Sequence, residues 1–352
     1  MDNADNQLPL ITAIIPTYRR PQLLRRAILS VLRQTYQNLV VWVYDNASND
    51  ATAEVVKQLS QTDPRVQYYC HSDNLGAIKN FNFGLSRVQT PYFSILSDDD
   101  VLIPDFYERA MQKFGEHPQA GFVATQTISA TNSEIKDISF KSYEPRLYQP
   151  PEGLLKMSHW EIITWTGILF RKAVIEEVGL LDEEMQGPDD SDFLIKIAAS
   201  FQYVVIKYPG AIFFVHDASL SSTWSELDAL PGYIQMLERI RHDLKIPADI
   251  RPIVYQNVKK VIANTLWLSG LIEVKKQRFA NANQLAQSLG SNFSEPRKSV
   301  ILYQISRWCE SSSVFRRLFV QLIQIKKLLN LGDRARFKAL QATYRPYLKY
   351  LS

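Results

Sequence analysis

Four short apolar runs in the first hundred residues each end in a polar cluster, and this repetition constrains the fold more than any other feature. Leu10–Ile15 runs into Pro16 and Thr17. Leu39–Tyr44 runs into Asp45, Asn46, Ala47 and Ser48. Val66–Cys70 runs into His71, Ser72, Asp73 and Asn74, and Tyr92–Leu96 into Ser97, Asp98, Asp99 and Asp100. Apolar runs without polar alternation suit strands buried on both faces. Between them, apolar residues recur at helical spacing: Leu24, Ala27, Ile28 and Val31 after Pro21, then Val55, Val56 and Leu59. A proline suits the first turn of a helix. The alternation predicts an α/β fold, a mostly parallel sheet flanked by helices. Ligands of such open sheets bind outside the carboxyl ends of the strands, where all four clusters lie.

The middle of the chain is mixed. Gly121–Ser129 and Thr164–Phe170 read as strands, 130–155 as an irregular insertion with Pro145, Pro150 and Pro151, and Asp190–Ala199 as an amphipathic helix. Tyr203–Ile206 and Ala211–Val215 read as two short strands ending near His216. Beyond about 226 only helical periodicity remains, in Tyr233–Arg241, Ile253–Leu268, Phe279–Leu289, Val300–Trp308 and Val314–Leu331. A boundary near Ser225 gives two parts, 1–225 and 226–352. Their charges differ in sign: 19 Lys+Arg against 27 Asp+Glu in the first, 21 against 9 in the second. Such asymmetry marks parts with different partners.

Several classes are excluded by absence. Cys70 and Cys309 cannot build a disulfide framework or a thiolate zinc site. The chain has no P-loop, no GxGxxG after its first strand and no GxSxG elbow. It has no apolar run of bilayer-spanning length, and its acidic start lacks the pattern of a secretory signal, so a cytoplasmic protein is expected.

The polar clusters carry the chemistry. Three adjacent carboxylates, Asp98, Asp99 and Asp100, favour a hard divalent cation such as Mg²⁺ or Mn²⁺, or else form a solvated, helix-capping turn. Asp45 after a strand suits a base or ribose, or an Asx turn. Asp189 and Asp190 open a helical stretch, where a carboxylate serves as general base or simply favours the helix N-terminus. His216 follows another apolar run, as a ligand or as a structural histidine.

In order, six motifs over residues 9–225 resemble the family 2 glycosyltransferases. ITAIIPTYRRPQLLRRAILSVLRQTYQNLVVWVYDNASND is similar to that family's first strand, helix and second strand. DNLGAIKNFNFGL resembles its Asn-x-Gly loop and SDDDVLIPDFYE its DXD region. TGILFRKAVIEEVGLLDEEM precedes GPDDSDFLIKIA, which is similar to its Glu-Asp motif, and VHDASLSS resembles its late His motif. The resemblance implies a GT-A, Rossmann-like fold and an inverting, metal-dependent transfer of sugar from a nucleoside-diphosphate sugar, UDP- or dTDP-linked. It implies that Pro16, Thr17 and Tyr18 line the nucleotide pocket, with Arg20 near the phosphates, Asn74 and Lys79 among the nucleotide- and donor-binding residues, and Asp45 accepting from the base. Asp98 would touch the ribose or donor sugar. Asp99, supported by Asp100, would hold Mn²⁺ or Mg²⁺, with His216 beside it. Asp190 would be the base, next to Asp189, and Trp165, Thr166 and Gly167 would line the acceptor and donor-sugar site. Ser97, Asp189 and Phe81 stand where the family usually has an Asp, a Glu and an Arg.

The implied acceptor is a glycan or lipid-linked glycan of surface polysaccharide or glycolipid assembly, with no nucleic-acid partner. The basic amphipathic stretch Val314–Leu331 can lie on an anionic membrane, on the inner face of the cell membrane, or pack on the catalytic part or on a second copy in a homo-oligomer. Two rival readings remain: a sugar-nucleotide nucleotidyltransferase, whose Gly-rich loop is missing at Pro16–Arg19, and an inactive glycan- or lipid-binding protein, against which the retained acids argue.

Overall fold

The computed structural model describes residues 8–351 apart from 160–164, 186, 218, 220–224, 244 and 330, and no side chain of 323–336 is described. Strand β1 (Ile11–Thr17), helix α1 (Pro21–Leu32), β2 (Leu39–Asp45), α2 (Thr52–Thr62), β3 (Val66–Cys70), α3 (Ala77–Ser86) and β4 (Tyr92–Ile95) open the chain. The short β5 (Val101–Leu102), α4 (Phe106–Glu116) and the long β6 (Ala120–Ala130) follow. Next come β7 (Ile135–Ile138), β8 (Leu147–Tyr148), α5 (Glu152–Met157), β9 (Ile168–Arg171), α6 (Ala173–Val178), α7 (Asp189–Ser200) and β10 (Gln202–Phe214). The sheet order is β3-β2-β1-β4-β9-β6-β10-β5. All neighbours from β3 to β4 are parallel, as are β6 and β10, while β9 and β5 run antiparallel to theirs.

Register brings the polar clusters together. Thr17 pairs with Asp45, and Asp45 with Cys70, so three strands end in one line. Alternate residues of β1 serve opposite faces. Ile14 joins Tyr44, Leu85 and Phe93 on one face, while Ala13 and Ile15 join Leu24, Ile28 and Val56 on the other. Helix α3 lies so close to the sheet that a Cβ on Gly84 would sit 2.6 Å from Ile14 Cγ2.

Three expectations are corrected. The two strands after 202 are one irregular strand, β10. Pro209 has no N–H to give a ladder, and register shifts flank it. The 130–155 stretch is irregular only in part: it holds β7, β8 and the start of α5, and buries Phe140, Tyr143 and Tyr148. The strand around 164–170 begins only at Ile168; position 164 lies outside the described residues.

The C-terminal region is helical: α8 (Leu230–His242), α9 (Arg251–Lys275), α10 (Phe279–Ser291), α11 (Pro296–Ser311), α12 (Ser313–Leu329) and α13 (Leu331–Tyr344). The core does not stop at residue 225. One buried cluster runs from Phe122 and Phe170 through Leu194 and Ile197 to Met236, Ile240, Val258, Leu285 and Leu302. The last turn, a 3₁₀ helix over Arg345–Leu351, returns to the sheet, where Leu351 packs with Val101, Ile103 and Phe214.

Helices α7 and α8 are tied by a buried charge. Asp192, with a 2% exposed side chain, pairs with Arg239 and, at 2.7 Å, with Lys196. Removing one partner of a buried pair leaves the rest uncompensated. Because Arg239 and Lys196 reach solvent, Asp192→Asn is expected to cost about 2 kcal/mol. Glu238→Gln, in an exposed pair with Arg241, should change stability by less than about 0.5 kcal/mol. Urea unfolding of both variants checks the contrast.

Candidate active site

The three acids after β4 are all buried, with Asp98 5%, Asp99 7% and Asp100 0% exposed. Each is held differently. Asp98 accepts from Thr17 Oγ1 at 2.7 Å, from Tyr18 N at 3.4 Å and from Arg20 Nη1 at 3.1 Å. Asp99 Oδ2 accepts from Arg20 Nη1 at 2.8 Å and lies 3.1 Å from His216 Nε2. Asp100 turns inward: Oδ1 accepts from Phe214 N at 2.9 Å, and Oδ2 from Thr166 Oγ1 at 2.6 Å. Burial and the neighbouring charge of Asp99 push Asp98 up to about 6, against Arg20 and Thr17, and push Asp100 well above the usual range.

Thr17, Tyr18, Arg20, the three acids, Thr166 and His216 thus form one contiguous network. Among the described residues no group of three His, Cys, Asp or Glu side chains is arranged to hold a metal ion. Yet Asp99 and His216 juxtapose a carboxylate oxygen and an imidazole nitrogen, and such a pair fits a divalent ion completed by phosphate oxygens and water. Both oxygens of Asp100 are already committed to Phe214 and Thr166, which suits support of the loop.

The neighbouring strand ends are stitched to this network. Ser48 Oγ accepts from Arg19 N at 2.8 Å, and Asn46 N donates to Thr17 O at 3.0 Å. Asn46 Nδ2 donates to Asn74 Oδ1 at 2.8 Å, which also accepts from Gly76 N at 2.9 Å. Asp45 is 2% exposed, accepting from Ser48 N at 3.0 Å and Tyr68 OH at 2.6 Å. Arg19, Ala47 and Asn49 have φ of 56°, 60° and 53°, left-handed backbone that costs a non-glycine residue of order 1–3 kcal/mol. Such residues cluster where loops are shaped for ligands.

Other candidates lie in separate surroundings. Pro16 is buried within β1, and Lys79 is exposed on α3. Trp165 is buried against Phe81, ring centroids 5.1 Å apart, and Gly167 (φ 85°) accepts at its carbonyl oxygen from Thr125 Oγ1 at 2.8 Å. Asp189 and Asp190 begin α7, and Asp190 Oδ1 accepts from Ser191 N at 2.6 Å. Burial raises both, Asp189 to about 8 with help from the Asp190 charge, and Asp190 to about 6. Two features escape a reading of the residues alone. One is the Tyr68 hydroxyl on Asp45, set by β2–β3 register. The other is the stack of Tyr69, 42% exposed, on Phe83 with centroids 4.7 Å apart.

Residues 12–179 match the family described as glycosyl transferase family 2. This stretch belongs to glycosyl transferase family 2. The chain is similar to the glycosyltransferase GlyA of Streptococcus pneumoniae, 24% identical over 308 residues, covering 83% of this chain and 43% of GlyA. A Campylobacter jejuni relative, GalNAc(5)-diNAcBac-PP-undecaprenol beta-1,3-glucosyltransferase, is 34% identical over 110 residues, 31% of this chain and 36% of the relative. The chain therefore spans less than half the length of these two relatives. Residues 1–349 of S. aureus TarS, solved with UDP-GlcNAc, superpose with a TM-score of 0.62 at 14% identity, covering 89% of this chain and 91% of that one. The mannosyltransferase PcManGT of Pyrobaculum calidifontis, solved with GDP-Man and Mn²⁺, gives 0.55 at 17% identity, covering 93% and 89%. The fold is GT-A, a central sheet flanked by helices with a helical C-terminal region.

Asp98 makes a testable contribution to stability. Its folded-state value of about 6 exceeds its ordinary 3.8, so folding favours the neutral acid. The carboxylate therefore takes stability away as pH rises through that interval, up to about 3 kcal/mol. Asp98→Asn removes this loss. Thermal unfolding at pH 4 and pH 7 should show the variant gaining on wild type at the higher pH; a constant difference would refute the assignment.

Proposed function

We propose that this family 2 chain transfers a sugar from a nucleoside-diphosphate sugar to a hydroxyl of a glycan or lipid-linked glycan, in surface polysaccharide or glycolipid assembly. The observation that carries the reading is the convergence of Thr17, Arg20, Asp98, Asp99 and His216 at aligned strand ends within the family 2 region. The UDP-GlcNAc complex of TarS and the GDP-Man and Mn²⁺ complex of PcManGT support the donor class. The Campylobacter relative's polyprenyl-diphosphate-linked substrate supports the acceptor class.

In this reading 1–225 is the catalytic unit and 226–352 a helical region that braces it. Asp99 and His216 would hold Mn²⁺ or Mg²⁺, which when bound would supply positive charge beside the leaving diphosphate. Arg20, already on Asp98 and Asp99, exchanges part of that pairing for the diphosphate. Pro16, Thr17 and Tyr18 shape the nucleotide pocket, with Asn74 and Lys79 at its phosphate side. Asp45, positioned by Ser48 and Tyr68, faces a uracil or thymine ring, and Asp98 the ribose or donor sugar. Trp165, Thr166 and Gly167 border the sugar and acceptor.

Asp190 is the base. Its value of about 6 leaves it ionised at neutral pH yet basic enough to take a hydroxyl proton. Asp189, pushed higher, holds its proton, so the pair carries one charge. A single base opposite the leaving group inverts the anomeric centre.

Calorimetric titration with UDP, dTDP and GDP, with and without Mn²⁺, tests the donor site. Binding of UDP or dTDP should require the metal and be lost in Asp99→Ala. Asp190→Asn should keep nucleotide binding while transfer falls about 10²–10⁴-fold. Wild-type transfer should decline below pH 6 as Asp190 takes up its proton. Absence of nucleotide binding under every condition would sink the catalytic reading.

The same region carries a membrane-facing surface in this proposal. Trp308, Phe315, Leu318 and Leu322 on α11 and α12 are 54%, 52%, 49% and 63% exposed, in the basic part of the chain. The side chains of Ile325, Lys326, Lys327 and Leu329, on the expected amphipathic helix, lie outside the described residues. Exposed apolar side chains among cations suit peripheral binding to anionic lipid on the inner face of the cell membrane. Flotation with phosphatidylglycerol vesicles should recover wild type at low salt but not Trp308→Ser/Phe315→Ser.

A further inference from the structure

Arg26 on α1 reaches the loop of three acids by its backbone rather than by its carboxylates. Nη2 of Arg26 donates to the carbonyl oxygen of Asp99 at 2.7 Å. Nη1 donates to Leu351 O, in the C-terminal 3₁₀ turn, at 3.1 Å. The guanidinium lies 4.3 Å over the Phe214 ring, and that ring stacks with the His216 imidazole, centroids 5.1 Å apart and planes inclined by 26°. One side chain thus reaches both members of the Asp99–His216 pair, the first through its backbone and the second through a ring.

These contacts are not free of cost to the fold. Burial draws the Arg26 guanidinium below its ordinary value, against the charges of Asp100 and Asp99. Its Nε is buried without a hydrogen-bond partner among the described residues, and an unmet buried donor opposes folding. A planar fork can span two carbonyls and lie flat on a ring at once, which the point charge of an ammonium cannot do. The residue therefore suits the placement of its neighbours better than it suits stability. Groups that hold metal-binding side chains from outside fix their orientation before the ion arrives.

We propose that Arg26 is a positioning residue that sets the separation and orientation of Asp99 and His216 for a divalent ion. This rests on the reading of those two side chains as the metal pair. Two effects of the guanidinium on a cation at Asp99 have opposite sign. Its charge repels the ion, while its hydrogen bonds and its stacking on Phe214 hold the pair in place. Removing the charge tightens metal binding if charge alone matters, and weakens it if placement dominates. The sign of the change therefore separates the two.

The experiment measures, by calorimetry on the full chain, the Mn²⁺ concentration that half-restores UDP binding. A second readout is the electron spin-echo modulation that an imidazole nitrogen imposes on bound Mn²⁺. Wild type is compared with Arg26→Lys, which keeps the charge but not the fork, and with Arg26→Met, which removes both. Arg25→Met, at the exposed cation one residue away, controls for charge at a distance. Both Arg26 variants should need roughly tenfold more Mn²⁺ and show weaker nitrogen modulation, with Arg25→Met close to wild type. Circular dichroism and thermal unfolding report whether each variant folds. Where an Arg26 variant does not, Phe214→Leu decides: it removes the ring between Arg26 and His216 while keeping the amide that serves Asp100, and the same rise is expected. A Mn²⁺ requirement that is not raised in the folded variants overturns the proposal and leaves the metal reading intact. UDP binding by wild type that needs no Mn²⁺, or bound Mn²⁺ without nitrogen modulation in wild type, overturns the metal reading and the role of Arg26 together.

Discussion

Three consecutive carboxylates, nearly out of reach of water, are the constraint around which this molecule is arranged. Ionised acids in a low-dielectric surrounding repel each other and lose hydration. The structure divides the problem. Asp100 is turned inward onto Thr166 and the Phe214 amide, Asp98 is covered by Thr17 and Arg20, and Asp99 is left with Arg20 and His216. Those partners come from β1, from the loop before β9 and from the end of β10. Keeping three acids together thus requires most of the sheet to be in register.

Much of this was legible in the residues. The β1–α1–β2–α2–β3 succession follows from apolar runs with polar ends, because parallel strands covered on both faces need such runs. The gathering of the polar ends follows from parallel register. Less legible were elements whose character depends on distant partners. β5 is two residues long and exists because β10 lies beside it. The stretch around 130–155 has prolines that signal irregularity, yet its aromatic residues Phe140, Tyr143 and Tyr148 bury themselves in the main core. Within the site, the residue types announced acids and a histidine. Which oxygen would face which partner depended on tertiary geometry, as did the Tyr68 hydroxyl that fixes Asp45.

The helical region shows a similar division. Its helices were plain from periodicity, but their relation to the sheet was not. A composition change near residue 225 suggests separate units, whereas the buried cluster passes from the sheet through α7 into α8 and α9. Charge composition changes sign there while apolar packing continues. Composition records what faces solvent as much as what folds together.

The return of the chain to the sheet also sets an order of events. Arg26 and Leu351 are 325 residues apart, yet they are directly bonded beside Asp99. At ribosomal rates of about 5–20 residues per second, roughly 15–65 s separate the synthesis of the two partners. During that interval the sheet can form while the wall behind the acids is still open. The wall behind the acids can therefore close only once Leu351 has been made, long after the strand ends it covers.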